Sequence, residues 1–87
     1  MADRLEVDIR AIVREHARLT ADVESLGRSS DLYAVGLTSH AAVGLMLALE
    51  DRFGVEFPER LLKPSVFASI ASMSEAIGEL RGLRAAA

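Results

Sequence analysis

The sequence has no cysteine and no tryptophan, and its aromatic side chains are one tyrosine and three phenylalanines. Without a thiol it has no cysteine nucleophile, no redox pair and no cysteine zinc site, and two histidines are too few for most zinc sites. Positive charge is also in short supply: the net charge of -3 is the wrong sign for a domain that gains affinity by neutralising phosphates, which argues against a nucleic-acid partner. The longest apolar run, residues 41–49, is nine residues long, whereas a membrane helix needs about 20. The first residues, Met1 to Glu6, lack the basic and apolar regions of a signal peptide. Together these absences lead us to expect a soluble, cytoplasmic protein with no metal and no membrane partner.

With 87 residues the chain is expected to form one domain, 1–87, too small for a cleft between two lobes. A domain of this size buries about 60 to 65% of its unfolded surface, so its core must come from amphipathic elements. The 51% hydrophobic content is enough to build one.

Six glycines and two prolines divide the chain cleanly. Leu5, Ile9, Ile12, His16, Leu19 and Val23 recur at steps of three and four, with Val13 beside them. This spacing predicts a first helix capped by Asp3 and ending between Leu19 and Gly27, with His16 as a satisfied or half-exposed packing histidine on its apolar stripe. Residues 29–37 show no helical period, yet Leu32, Tyr33, Val35 and Leu37 should fold down onto the core. A second helix is expected from Thr38 or Ser39 to Gly54, buried on a broad face that includes Val43, Met46, Leu47, Leu49 and Phe53. Pro58 suits the first position of a one-turn helix that Pro64 would end. A last helix, capped by Ser69 or Ser72, would turn Ile70, Met73, Ile77 and Leu80 inward and fray after Gly82. No segment alternates with period two. The fold class is therefore all-α: three longer helices, one short helix and a long first loop.

Ser39 is the residue best placed for chemistry, because it opens the second helix, where free backbone N–H groups and the positive end of the helix dipole favour a phosphate. The competing reading is that Ser39 or Thr38 simply caps the helix. A Ser39–His40 catalytic pair is disfavoured, since adjacent helical residues diverge by about 100° and no third group orients the imidazole.

At this point the chain resembles the acyl and peptidyl carrier proteins. The resemblance is carried by Asp31-Leu32, then Gly36-Leu37-Thr38-Ser39-His40, then Val43, Leu45, Met46, Leu49 and Glu50-Asp51-Arg52-Phe53, then Val55-Glu56-Phe57-Pro58. It runs in register from Asp31 to Ile77, and the first helix is compatible with it. It implies a four-helix bundle of acyl-carrier-protein type with no catalytic residue of its own. It also implies a 4'-phosphopantetheine arm attached to Ser39 by a phosphopantetheinyl transferase, with the arm's thiol holding cargo as a thioester. Thr38 and His40 stand where the family usually has Asp and Leu. The variant is similar to stand-alone bacterial aminoacyl carrier proteins, which are loaded by an amino acid:carrier protein ligase related to seryl-tRNA synthetases.

Docking through the second helix, as in that family, would assign partner contact to His40, Val43, Met46 and Glu50. Residues 29–60 hold five carboxylates against two arginines, a local balance equal to the whole net charge of -3. The implied protein is a monomer that serves a loading enzyme and a downstream acceptor in turn. The rival readings are a fatty-acid or polyketide acyl carrier, and a helical adaptor that is never modified.

Overall fold

A computed structural model describes the backbone of residues 4–86 and the side chains of residues 4–82. Within these residues four α-helices follow one another, with no strand: α1 Arg4–His16, α2 Ser39–Phe53, α3 Pro64–Phe67 and α4 Ile70–Ala86. Single 3-10 turns lie at Val23–Ser25, Tyr33–Val35 and Glu59–Leu61. The expected all-α bundle is therefore present. The Asp3 cap lies outside the described residues.

The core is one cluster fed by every helix. α1 contributes Ile9, Ile12 and Val13, α2 contributes Ala42, Leu45 and Leu49, α3 contributes Val66 and Phe67, and α4 contributes Ile70, Met73, Ala76, Ile77 and Leu80. Leu32 and Leu37 of the long connection are also buried, as their apolar character requires. Helix α1 packs on α2 and α4, and α3 packs on both α2 and α4. The Phe57 and Phe67 rings meet at a centroid distance of 5.5 Å, a separation typical of favourable aromatic pairs.

Four expectations are corrected. First, α1 ends at His16, short of the predicted Leu19 to Gly27. Ala17 takes the inward position and His16, the last residue of the helix, is exposed. The backbone leaves the helix through Arg18, whose φ of 52° is left-handed. Val23 is still buried, because the chain folds back: the Arg10 guanidinium donates to the Val23 and Leu26 carbonyls at 3.0 and 2.8 Å.

Second, α2 buries a narrower face than predicted. Val43 and Leu47 are each 55% exposed, and the inward positions belong to Ala42, Leu45 and Leu49. Third, Pro58 precedes a 3-10 turn, and it is Pro64 that opens the short helix. A proline at the first helical position lacks only an N–H that would have no intrahelical acceptor, and Lys63 before it is extended, as a residue preceding proline prefers.

Fourth, α4 is helical through Gly82 to Ala86, beyond the expected inward stripe. Its start is a reciprocal cap: the Ser69 hydroxyl accepts from the Ser72 N–H at 3.0 Å, and the Ser72 hydroxyl accepts from the Ser69 N–H at 3.1 Å. Two orphan donors are thereby satisfied.

Candidate functional site

The segment leading into α2 is fixed from three sides. The Leu32 N–H donates to Ala68 O at 2.7 Å and the Ala71 N–H to Arg28 O at 2.8 Å, which ties the long connection to the start of α4. The Thr20 N–H donates to Val35 O at 2.8 Å, which ties it to the segment after α1. The Leu37 N–H returns to Leu32 O at 3.0 Å around Gly36, whose φ is 108°. Asp31 fixes the same turn, its carboxylate accepting from the Tyr33 N–H at 3.0 Å.

The chain then enters α2 in a defined way. Thr38 is the N-cap: it is extended, and its hydroxyl oxygen accepts from the Ala41 N–H at 3.0 Å while its carbonyl accepts from the Ala42 N–H at 2.9 Å. This leaves Ser39 as the first helical residue, exposed, with its hydroxyl not needed for capping. Among the described residues nothing accepts from the Ser39 and His40 N–H groups. An exposed hydroxyl beside free helix-head donors suits a phosphate ester. The question left open by the sequence, cap or reactive position, is thus divided between two residues: Thr38 caps and Ser39 is free.

Two depressions flank Ser39. One, of about 370 Å³, is a mainly apolar groove lined by Ser39 with Tyr33, Val43, Met46, Leu62, Lys63 and Phe67 among others. Val43 and Leu62 stand 55% and 50% exposed along it, so apolar surface faces solvent beside the serine. Burial, with the Asp31 carboxylate second, pushes the Tyr33 phenol above its ordinary value and keeps it neutral in the groove. The other depression, of about 400 Å³, is lined by His16, Arg18, Thr38 and His40 among others.

The structure therefore brings Ser39, Val43 and Met46 together in one groove and sends His40 to the opposite depression. No hydrogen bond joins Ser39 and His40 among the described residues. Glu50 lies further along α2 and is partly buried, with one carboxylate oxygen accepting from the Phe57 N–H at 2.9 Å. Sequence reasoning missed Leu62, Lys63 and Phe67, which reach the groove from the α2–α3 connection and α3, because no periodicity links them to Ser39. It also missed Arg18, which only the early end of α1 brings to the site. Among the described residues no cluster of His, Asp or Glu can hold a metal ion, and no helix is long and apolar enough to cross a membrane.

A helical bundle that presents a free serine at a capped helix head, with apolar surface beside it, has the form of a carrier domain. The family described as phosphopantetheine attachment site matches residues 7–77. An aminoacyl carrier protein of Agrobacterium fabrum is 38% identical over 73 residues, covering 84% of this chain and 88% of the relative. Among solved structures, the carrier protein from Agrobacterium tumefaciens bound to an engineered Bradyrhizobium japonicum glycine:carrier protein ligase and ATP superimposes with a TM-score of 0.84. It is 37% identical, and the match covers 87% of this chain and 99% of that one. A solution structure of an Agrobacterium tumefaciens protein gives a TM-score of 0.73 at 36% identity, covering 94% of this chain and 99% of that one. The chain belongs to the phosphopantetheine-attachment family, a family of carrier proteins and not of catalysts, whose prosthetic group is phosphopantetheine.

Proposed function

We propose that Ser39 is the attachment residue and that the chain, acting as one monomeric domain over 1–87 in the cytoplasm, carries an aminoacyl group between enzymes. The observation that supports this most directly is the division of labour at the head of α2. Thr38 satisfies the Ala41 N–H, so Ser39 is left exposed with two unaccepted N–H groups beside its hydroxyl. When bound, the arm supplies the thiol that the cysteine-free chain lacks and holds the cargo as a thioester.

The chain's own residues do the rest. The helix head stabilises negative charge at the Ser39 oxygen. Val43, Met46 and Leu62 offer apolar area to a partner, with His40 at the head of α2 and Glu50 further along the helix. An interface with a small apolar centre and a polar rim fits brief docking by successive enzymes, first a phosphopantetheinyl transferase, then an amino acid:carrier protein ligase, then an acceptor enzyme. The similarity to a carrier protein bound to a glycine:carrier protein ligase supports a ligase of that type as the loading partner.

The test is intact mass after incubation with coenzyme A and a broad-specificity transferase, with Ser39→Ala in parallel. The expected result is a gain of one phosphopantetheine in the wild type and none in Ser39→Ala. Holo protein should then gain an amino acid from a ligase of the glycine type. Modification of Ser39→Ala would move the attachment elsewhere, and an unmodified wild type would favour the adaptor reading.

A further inference from the structure

Lys63 is the single lysine of the chain, and it lines the same groove as Ser39. Among the described residues it is the one charged group that does so, and no carboxylate lines the groove. Burial, with the Asp31 carboxylate second, raises the Tyr33 phenol above its ordinary value, so Tyr33 adds no negative charge either. The backbone that carries Lys63 is held: it is extended, as a residue before proline prefers, and its carbonyl accepts from the Val66 N–H at 3.1 Å where α3 begins. Its ammonium has no hydrogen-bond or ion-pair partner among the described residues, whereas Arg60, three positions earlier, pairs with Glu79 at 3.2 Å. The cations on the other side of the helix head, His16, Arg18 and His40, line a depression that Ser39 does not share.

Resting on the assignment of the arm to Ser39, we infer that Lys63 is a positioning residue: its ammonium pairs with the phosphodiester of the arm and holds the first atoms of the arm on the α3 side of the helix head. Attachment puts a negative charge at the edge of a surface that is otherwise apolar, where an unpaired charge is costly. Lys63 is the cation that lines this space, and no competing anion lines it. An ammonium is a compact point charge with three donors on a flexible stem, so it can follow a phosphate without needing a fixed fork geometry. A pair this exposed is weak and sensitive to salt, so an enzyme that takes up the thioester can also draw the arm away. Lys63 thus sets the resting direction of the arm.

The experiment uses NMR on protein grown with 13C-lysine, in which one side chain is labelled, before and after conversion by coenzyme A and a transferase, with conversion confirmed by intact mass and Ser39→Ala in parallel. In holo protein the Lys63 Hε protons should give a through-space cross-peak to the two methyl groups of the arm next to the phosphodiester. Lys63→Gln should still be fully modified, with its phosphorus resonance shifted toward that of free phosphopantetheine, and Lys63→Arg should restore most of the wild-type position. Raised salt should move the wild-type resonance toward the Lys63→Gln value and leave Lys63→Gln nearly unchanged. No cross-peak, together with one phosphorus position for wild type and Lys63→Gln, overturns the pairing. A Lys63 signal that is the same in apo and holo protein and moves only when a glycine-type ligase is added also overturns it, and makes Lys63 a contact for the enzyme. A wild type that gains no mass, or a Ser39→Ala protein that gains it, removes the assignment to Ser39 and the pairing with it, so the two failures are distinct.

Discussion

The Thr20 N–H and hydroxyl both donate to the Val35 carbonyl, at 2.8 and 2.9 Å, so one residue of the segment after α1 holds the turn that delivers Ser39. The contact leaves little space around the next residue. A Cβ built on Gly36 would lie 3.3 Å from the Thr20 methyl and 3.4 Å from the Thr20 nitrogen. Gly36 also has a φ of 108°, a conformation that L side chains rarely adopt.

Gly36→Ala should therefore destabilise the protein by about 1 to 3 kcal/mol, the usual cost of forcing a side chain into such backbone. Urea unfolding should show a lower midpoint with an unchanged slope. Thr20→Ala removes the hydroxyl bond but keeps the backbone one, and should cost about 1 kcal/mol. A Gly36→Ala protein as stable as wild type would mean that the turn relaxes without effort.

Leu45 and Leu47 differ by two positions in α2 and by nearly everything in environment, at 0% and 55% exposure. Leu45→Ala should cost about 2 to 5 kcal/mol, because it opens a cavity in the core. Leu47→Ala should stay within about 0.5 kcal/mol of wild type. Thermal or urea denaturation of the two variants measures the contrast directly.

That contrast explains what the sequence made legible and what it hid. The stripe of α4 was readable because Ile70, Met73, Ile77 and Leu80 are separated by polar and small residues, and all four are buried. Residues 41–49 are apolar at almost every angle, so periodicity cannot say which side faces inward. The answer lies in what α1, α3 and α4 place around the helix. The end of α1 was hidden for a related reason. Leu19 and Val23 keep the helical spacing, but they pack on the core from a segment folded back and held by Arg10. Ser39 was found from its place at a helix head, whereas Lys63 and Arg18 have only tertiary neighbours to identify them.

Glu6 and Arg28 make the pH dependence testable. Two guanidinium N–H groups of Arg28 donate to one Glu6 oxygen at 2.9 and 2.6 Å, and this hydrogen bonding holds the Glu6 carboxyl below its ordinary value. A carboxylate with a depressed folded-state value binds fewer protons folded than unfolded, so its stabilisation is fully present above the unfolded value of about 4.3 and is lost as pH falls through the folded one. The wild type should lose this contribution as the pH falls below about 4.3 and through the lowered folded-state value, and Glu6→Gln should lack it throughout. For a pair this near the surface the difference at pH 7 should be at most about 1 kcal/mol. Equal pH profiles for the two proteins would show that the pair contributes nothing.

Glu50 can be tested for two roles at once, because the proposed rim contact and the observed structural contact depend on different properties of the side chain. Its carboxylate accepts from the Phe57 N–H at 2.9 Å, and Phe57 is 5% exposed. Glu50→Ala leaves that buried N–H without its acceptor and should cost about 1 to 3 kcal/mol. Glu50→Gln keeps an oxygen in place and removes only the charge, so its stability should stay close to wild type. If Glu50 also guides a basic partner, Glu50→Gln should slow association with the ligase and flatten its dependence on salt, since rim charges act mainly on the rate of encounter. Association rates measured by stopped flow at low and high ionic strength decide the matter. Equal rates for wild type and Glu50→Gln, together with an unstable Glu50→Ala, would make Glu50 a clamp between α2 and the Phe57 segment and leave docking to Val43 and Met46.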